Sequence, residues 1–136
     1  MTLRPYKEED AGPLAEMLSK EGITSDRMAY KLEDFHTFVA TNDGKIVGFF
    51  TLKKIRDVYL LQHFCLDRDH RGYRNFSALN KFLEAVLILQ FRKRHFIISI
   101  GSERDRIKKL IRHRYRTNPY EEKDGQSNYF VKIHGG

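Results

Sequence analysis

The chain has little cysteine and no long apolar run, and each shortage excludes a class of protein. Its single cysteine, Cys65, cannot form an internal disulfide or a CxxC metal site. No apolar run approaches the roughly 18 residues that a membrane-spanning helix needs. The polar N-terminus MTLRPYKEED also lacks the apolar core of a signal peptide. These features predict a soluble protein of a reducing compartment, the cytoplasm, with no membrane partner.

Internal repeats, low-complexity stretches and linkers are also absent from the sequence. The 136 residues are therefore expected to fold as one domain spanning 1–136, which is long enough for a single core. With 40% apolar and 32% charged residues, the composition is typical of a globular rather than a disordered chain.

The positive charge of the chain is concentrated in one stretch. Residues 1–91 carry 13 basic and 13 acidic side chains, whereas residues 92–116 carry 10 basic and 2 acidic ones. A local cationic surface attracts anions such as nucleic acid, an acidic partner or a phosphorylated cofactor. A solvated helix face would give the same pattern.

Hydrophobic periodicity and turn signals predict an alternation of strands and helices. The predicted elements are a strand at TLRPY, helices over 10–20 and 25–35, a hairpin turning at Asp43-Gly44, a largely apolar and central strand over 57–66, a helix over 76–91, a strand over 95–100, a helix over 102–116 capped by Ser102, and an antiparallel pair turning at 123–125. This order, β-α-α-β-β-β-α-β-α-β-β, predicts an α/β (α+β) fold with helices covering the sheet.

The stretch DHRGYRNFSAL, residues 69–79, connects the apolar strand to the helix that follows it. Backbone N–H groups in the first turn of a helix lack internal partners, and the helix dipole adds positive charge there. Such a helix start is an anion site suited to a pyrophosphate. Gly72 permits close approach of a ligand to the backbone, and Arg71 adds a permanently charged donor.

The element order and three local motifs resemble the GCN5-related N-acetyltransferase (GNAT) superfamily. RPYKEED is similar to the family's first strand and turn, FVATNDGKIVGFFTLKK to its second and third strands, and FCLDRDHRGYRNFSALNKFL to its fourth strand, acetyl-CoA loop and third helix. The resemblance covers essentially the whole chain. It implies a single GNAT-like domain with a mixed, mostly antiparallel sheet and about four helices.

The resemblance implies an N-acetyltransferase that transfers an acetyl group from acetyl-CoA to an amine acceptor. In the family the loop reads Arg/Gln-x-x-Gly-x-Gly/Ala. Arg71 matches this pattern, whereas Arg74 and Phe76 stand where a glycine and a small residue are expected. Either the charge of Arg74 compensates for the missing glycine, or the side chain of Phe76 closes the cofactor site. The implied cofactor-binding residues are the backbone N–H of Leu66, which would stabilise the thioester oxygen, together with Arg71, Gly72, Tyr73, Arg74, Asn75, Phe76 and Ser77.

Two side chains are candidates for proton transfer. His63, on the strand before the loop, is a candidate base because histidine titrates near neutral pH; a sheet histidine satisfied by a neighbour is the alternative. The family's usual acid, a tyrosine late in the fourth helix, falls near Ile111 by spacing, and Tyr115 is the candidate substitute one turn later. Cys65 is interpreted as a buried structural residue. No histidine has metal-ligand spacing, so no metal is predicted.

Two other functions are compatible with the same residues. A GNAT-like fold without catalysis, acting as a binding or structural protein such as a component of a phage virion, is favoured by Arg74, Phe76 and Ile111. A nucleic-acid-binding module is favoured by residues 92–116, some of which could instead meet the 3′-phosphate of acetyl-CoA. The acceptor, the oligomeric state and the source are not readable. Acceptor specificity is expected in residues 20–36 and in the last hairpin.

Overall fold

The computed structural model describes residues 1–20 and 35–134, which form seven strands and three α-helices. The strands are β1 (Thr2–Pro5), β2 (Phe35–Asn42), β3 (Lys45–Ile55), β4 (Val58–Leu66), β5 (His95–Gly101), β6 (Glu121–Lys123) and β7 (Gln126–Lys132), and the helices are α1 (Ala11–Lys20), α2 (Tyr73–Ala85) and α3 (Asp105–Tyr115). The helix predicted over 25–35 lies outside the described residues except for Phe35, with which β2 begins. No described helix is both long and apolar enough to span a bilayer.

All seven strands belong to one sheet with the order β1-β2-β3-β4-β5-β7-β6. Every neighbouring pair is antiparallel except β4 and β5, which are parallel. The predicted mixed, mostly antiparallel sheet is therefore confirmed, and β4 is its central strand. The turn between β2 and β3 has positive φ at both Asp43 (52°) and Gly44 (79°), as expected for an Asp-Gly hairpin.

Helices cover both faces of the sheet. The main core lies under α2 and α3, and its fully buried side chains include Phe50, Leu79, Leu83 and Phe96. A smaller core lies under α1 on the opposite face and consists of Leu14, Met17, Leu18, Val39, Phe49 and Cys65. Cys65 is thus a buried packing residue, as predicted from the sequence.

A bulge in β4 decides which of its side chains face which helices. β3 pairs with Leu61 and then with His63, so Gln62 is an extra residue of β4. Leu61 before the bulge and Leu66 after it both belong to the main core, although in an unbroken strand residues five apart would point to opposite faces. The bulge therefore places His63 and Cys65 on the α1 face.

The two helices next to the main core begin at different residues from those predicted. α2 begins at Tyr73, three residues before Phe76, and it is followed by a π-helical segment, Val86–Gln90. α3 begins at Asp105, and Ser102 is not its cap. Ser102 instead donates its backbone N–H to the Gly125 carbonyl, which prolongs the pairing of β5 with the last hairpin.

An ion pair fastens β1 to the start of α1. The two terminal nitrogens of Arg4 donate to the two carboxylate oxygens of Asp10 at 2.7 and 2.9 Å, and the backbone N–H of Lys7 donates to Asp10 at 2.8 Å. Asp10 is only 3% exposed. The hydrogen bonds from Arg4 are the main reason that the pKa of Asp10 lies below its ordinary value.

Replacing Asp10 with asparagine is expected to lower the free energy of unfolding by about 2 kcal/mol at pH 7, because charge-assisted hydrogen bonds are lost. The depressed pKa means that the carboxylate's contribution is fully present above the unfolded-state pKa of about 3.9 and is lost as the pH falls through the folded-state pKa. Urea unfolding between pH 7 and pH 2.5 should show the two proteins converging in acid. A constant difference would contradict this account.

Candidate active site

β4 and β5 separate toward their C-terminal ends. Their parallel pairing consists of Leu60 with Ile97 and Leu61 with Ile98, within the part of the chain that the structure describes. β5 remains paired with β7 along its whole length, and β4 runs on beside β3 alone. A wedge-shaped opening, called the wedge below, therefore lies between the C-terminal halves of β4 and β5.

The backbone at the end of β4 points into the wedge. Asp67 donates its N–H to the Val47 carbonyl at 2.8 Å, so these two residues form a hydrogen-bonded pair. Such pairs alternate with non-hydrogen-bonded ones in an antiparallel ladder. The adjacent pair, Leu66 with Gly48, is therefore of the second kind, and Leu66 directs its N–H and its carbonyl away from β3. That carbonyl accepts a hydrogen bond from Nε of Arg71 at 3.3 Å.

Gly48 allows β3 to lie close to this end of β4. A Cβ atom at Gly48 would lie 2.9 Å from the Cys65 carbonyl oxygen and 3.0 Å from Cδ2 of Leu66. Any larger residue would push the end of β4 away. Gly48, the second glycine of the DGKIVGF motif, thus fixes the position of the Leu66 backbone.

α2 begins at the open end of the wedge, and its N-cap residue has no side chain that could cap the first turn. Gly72 is the N-cap, with φ of 155°, a value that favours glycine. The first internal helix bond runs from the Phe76 N–H to the Gly72 carbonyl at 2.9 Å. The N–H groups of Tyr73, Arg74 and Asn75 come before that bond, and with the positive end of the helix dipole they form an anion site.

The polar side chains of the loop support this helix start without covering it. Asn75 donates from Nδ2 to the His70 carbonyl at 2.8 Å, and Arg71 holds the end of β4 as described above. Tyr73 is 72% exposed, and Arg74 is exposed too. These two side chains are therefore accessible to a bound anion.

Phe76 turns inward against the sheet. Its ring meets that of Phe64 on β4 at a steep angle, with the ring centroids 5.3 Å apart. Both rings, together with Ile100 and Ile107, are partly buried and pack against the main core. The α2–α3 side of the wedge is thus lined with apolar groups, Phe76 among them.

A groove of about 680 Å³ opens between α2 and α3 and is called the α2–α3 groove below. It extends from the first turn of α2 to the C-terminal half of α3. Its lining residues are Tyr73, Phe76, Ser77, Leu110, Arg112, His113, Arg114 and Arg116. Three guanidinium groups beside an exposed tyrosine make it suited to a phosphorylated and aromatic ligand.

Tyr115 lies between α2 and α3 and is 4% exposed. Its hydroxyl donates to Oε2 of Glu84 at 2.7 Å and accepts from Nδ2 of Asn80 at 2.9 Å. Arg114 donates to both oxygens of Glu84, at 3.2 and 2.7 Å. Burial, and next the charge of Glu84, raise the pKa of the Tyr115 hydroxyl. Its proton is therefore held tightly within this cluster, which joins the two helices that line the groove.

His63 lies on the opposite face of the sheet from Tyr115. It is half-buried, and its ring centroid is 6.4 Å from that of Phe49 in the smaller core. Burial lowers the pKa of His63 below its ordinary value, so the ring is neutral at pH 7 and can accept a proton. His63 therefore lies three residues from Leu66, on the α1 side of the wedge.

The cluster formed by Asn80, Glu84 and Arg114 was not predicted from the sequence. Its only local signal is the i, i+4 spacing of Asn80 and Glu84 in α2. Among residues 1–20 and 35–134, no three His, Cys, Asp or Glu side chains lie close enough together to hold a metal ion.

No family model and no curated protein sequence matches the chain. Solved structures, in contrast, match its fold over nearly the whole length. The ribosomal-protein-S18-alanine N-acetyltransferase from Escherichia coli has a TM-score of 0.73 at 14% identity, and the match covers 98% of this chain and 96% of that one.

Two further structures are similar to the chain to the same degree. The PaiA N-acetyltransferase from Thermoplasma acidophilum, solved in complex with coenzyme A, has a TM-score of 0.71 at 15% identity, covering 98% of this chain and 100% of that one. Spermidine N-acetyltransferase from Vibrio cholerae has a TM-score of 0.74 at 14% identity, covering 97% and 95%. At these identities the likeness establishes the fold, as predicted from the sequence.

Proposed function

Since the chain has the fold of the GNAT acetyltransferases, we propose that it is an N-acetyltransferase that takes its acetyl group from acetyl-CoA and gives it to an amine. One observation carries the proposal. The end of β4 directs the Leu66 backbone into the wedge, beside the first turn of α2. A thioester and a diphosphate could therefore be held side by side by backbone groups alone.

The residues present fit the three chemical parts of acetyl-CoA. The first turn of α2 supplies N–H donors for the diphosphate. The apolar side of the wedge, with Phe64 and Ile100, suits the pantetheine arm. The α2–α3 groove supplies Tyr73 for the adenine ring, and Arg112 and Arg116 for the 3′-phosphate.

The chain's own groups can perform the transfer from the two faces of the sheet. The Leu66 N–H donates to the thioester oxygen, on which negative charge develops as the amine attacks. His63, on the α1 face, accepts the proton of the attacking amine. The C–S bond of the thioester breaks as the C–N bond forms, and CoA would leave as a thiolate that takes up a proton from water. The acceptor would therefore approach from the α1 face, while the acyl donor is held from the α2–α3 face. We assign Tyr115 to positioning α2 against α3, because its proton is already donated to Glu84.

Acetyl-CoA is expected to raise the melting temperature of the protein. A ligand present at 100 times its dissociation constant stabilises by about 2.7 kcal/mol. Isothermal titration should give a weaker dissociation constant for 3′-dephospho-CoA than for CoA, and Arg116→Ala should remove that difference. No binding of millimolar acetyl-CoA would contradict the proposal and favour a non-catalytic binding or structural protein.

Replacing Phe76 with alanine is expected to tighten acetyl-CoA binding about tenfold, roughly 1.4 kcal/mol, because it widens the wedge. Phe130→Ala is the matched control, since Phe130 is 49% exposed and stacks on His95 away from the wedge. Tighter binding by the Phe76 variant alone would show that the ring narrows the site. Weaker binding would show that the Phe76 ring contacts the bound acetyl-CoA.

Catalysis is tested by following the release of the CoA thiol with a chromogenic thiol reagent. Spermidine and a peptide with an N-terminal alanine are suitable probe amines, since the proteins compared above act on acceptors of these names. Release that depends on the amine supports transfer. If acetyl-CoA binds but no probe amine is acetylated, the proposed cofactor is supported. The acceptor is then not an amine of either probe class.

A further inference from the structure

The proposed cofactor accounts for only part of the positive charge in residues 92–116. Two cations of α3 are paired, Lys108 with Glu122 at 3.4 Å and Arg114 with Glu84 at 2.7 Å. Of the other eight, Lys93 is partly buried and seven are exposed, and none of the seven makes an ion pair within the described ranges 1–20 and 35–134. These seven are Arg92, Arg94, Arg104, Arg106, Lys109, Arg112 and Arg116.

The exposed cations of α3 follow one side of the helix. At 100° per residue, Arg106, Lys109 and Arg112 fall within an arc of about 120°, on the side of α3 away from the buried Ile111. Arg116 is the C-cap at the end of the helix, about 15 Å from Arg106 at a rise of about 1.5 Å per residue. Asp105, in the first turn, is the one acidic residue of α3 and lies on the same side. We call this side, together with Arg92 and Arg94, the cationic face.

The cationic face continues beyond the C-terminal end of α3. The ring of Tyr115 packs on that of Phe96 with 5.8 Å between centroids. Because Arg116 follows Tyr115 and Arg94 lies two residues before Phe96, this contact places Arg116 and Arg94 at the same end of β5. The row of cations is therefore longer than the helix itself.

We propose that the cationic face binds the phosphate backbone of a nucleic acid. Successive phosphates of a strand are about 3.4 Å apart along a duplex axis, so 15 Å of α3 spans roughly four of them. Arginine, the more frequent cation on this face, forms bidentate hydrogen bonds with phosphate.

An acidic protein partner fits this face less well. Protein interfaces have an apolar centre enriched in aromatic residues. The large apolar side chains that are exposed in the described part of the chain are Ile55, Tyr73, Leu89, Tyr120 and Phe130, and none of them belongs to α3. Interfaces with nucleic acid are more polar and more strongly cationic, as this face is.

Fluorescence anisotropy with a labelled 20-nucleotide DNA, single-stranded and as a duplex, tests the proposal. With four phosphate contacts, duplex affinity should fall roughly 100-fold between 50 and 200 mM salt. The double variant Arg106→Glu, Lys109→Glu should bind at least tenfold more weakly and show a shallower salt slope. Acetyl-CoA binding, measured in parallel, should be unchanged, so that this inference and the proposed acetyltransferase can fail separately.

The matched control is Lys45→Glu, Lys54→Glu, which changes the net charge by the same amount on exposed residues of β3. This control should retain binding. An equal loss in both double variants would overturn the proposal, because net charge alone would then explain the affinity. Salt-independent binding would overturn it too. Equally tight binding of poly-L-glutamate at the same salt would overturn it in favour of an acidic protein partner.

Discussion

Replacing Glu84 with alanine is expected to lower the free energy of unfolding by about 3 kcal/mol. The carboxylate is 15% exposed and accepts hydrogen bonds from Arg114, Tyr115 and Asn80. Removing one partner of a buried ion pair costs about 3–5 kcal/mol, since the remaining charge is left without compensation. The lower end of this range applies because the Arg114 side chain is 27% exposed and is therefore partly hydrated.

The same change should loosen the α2–α3 groove, since Glu84 is the group that ties the two helices together. Chemical denaturation measures the loss of stability, and titration with acetyl-CoA measures the effect on the groove. Glu16→Ala is the control, because Glu16 forms an exposed i, i+4 pair with Lys20 and should cost less than about 0.5 kcal/mol. Similar losses in both variants would show that Glu84 contributes no more than a surface charge.

Tyr115→Phe separates the two roles considered for this tyrosine. Loss of its hydroxyl removes one acceptor of Asn80 and one donor to Glu84, so we expect a loss of about 1 kcal/mol in stability and little change in kcat. A large fall in kcat at unchanged stability would instead assign Tyr115 as the acid that protonates the leaving thiolate.

Local signals in the sequence were sufficient for the strands and for the hairpins. Asp43-Gly44 fixes one turn through its backbone preferences, and the largely apolar run in β4 indicated a strand covered on both faces. These features depend on residues that are neighbours in sequence. The element order that they define was enough to recognise the GNAT fold.

The orientation of His63 could not be read from the sequence. Strict alternation along β4 would place His63 on the same face as Tyr59 and Leu61. The extra residue at Gln62 reverses that assignment, and nothing in the local sequence marks a bulge there. Bulges depend on how the neighbouring strand pairs, so only the folded sheet decides the face.

The position of Ser102 and the cluster around Glu84 were missed for a related reason. Serine is a favoured residue at helix N-caps. The backbone of Ser102 pairs with Gly125 instead, and this pairing keeps Ser102 from capping α3. Glu84 and Arg114 are 30 residues apart in sequence. The contact between them follows from the packing of α2 against α3, which no local pattern describes.

His63→Gln is expected to lower kcat/KM by about 10²–10⁴-fold at pH 8, the usual contribution of a general base. Glutamine keeps hydrogen-bonding groups at the site but cannot accept the proton of the amine. His95→Gln is the control, since His95 is exposed and stacks on Phe130. It should retain full activity toward the probe amine that is turned over fastest.

The pH dependence distinguishes a base from a residue that only packs. A base must be neutral, and burial lowers the pKa of His63 below its ordinary value of about 6.5. The ratio of kcat/KM for the wild type to that for His63→Gln should therefore be near unity in acid, rise with pH through the His63 pKa, and level off at a lower pH than an ordinary histidine would give. Taking the ratio cancels the titration of the amine itself, which affects both proteins equally. A ratio that is large but independent of pH would mean that His63 supports the wedge structurally, and another group would then have to accept the proton.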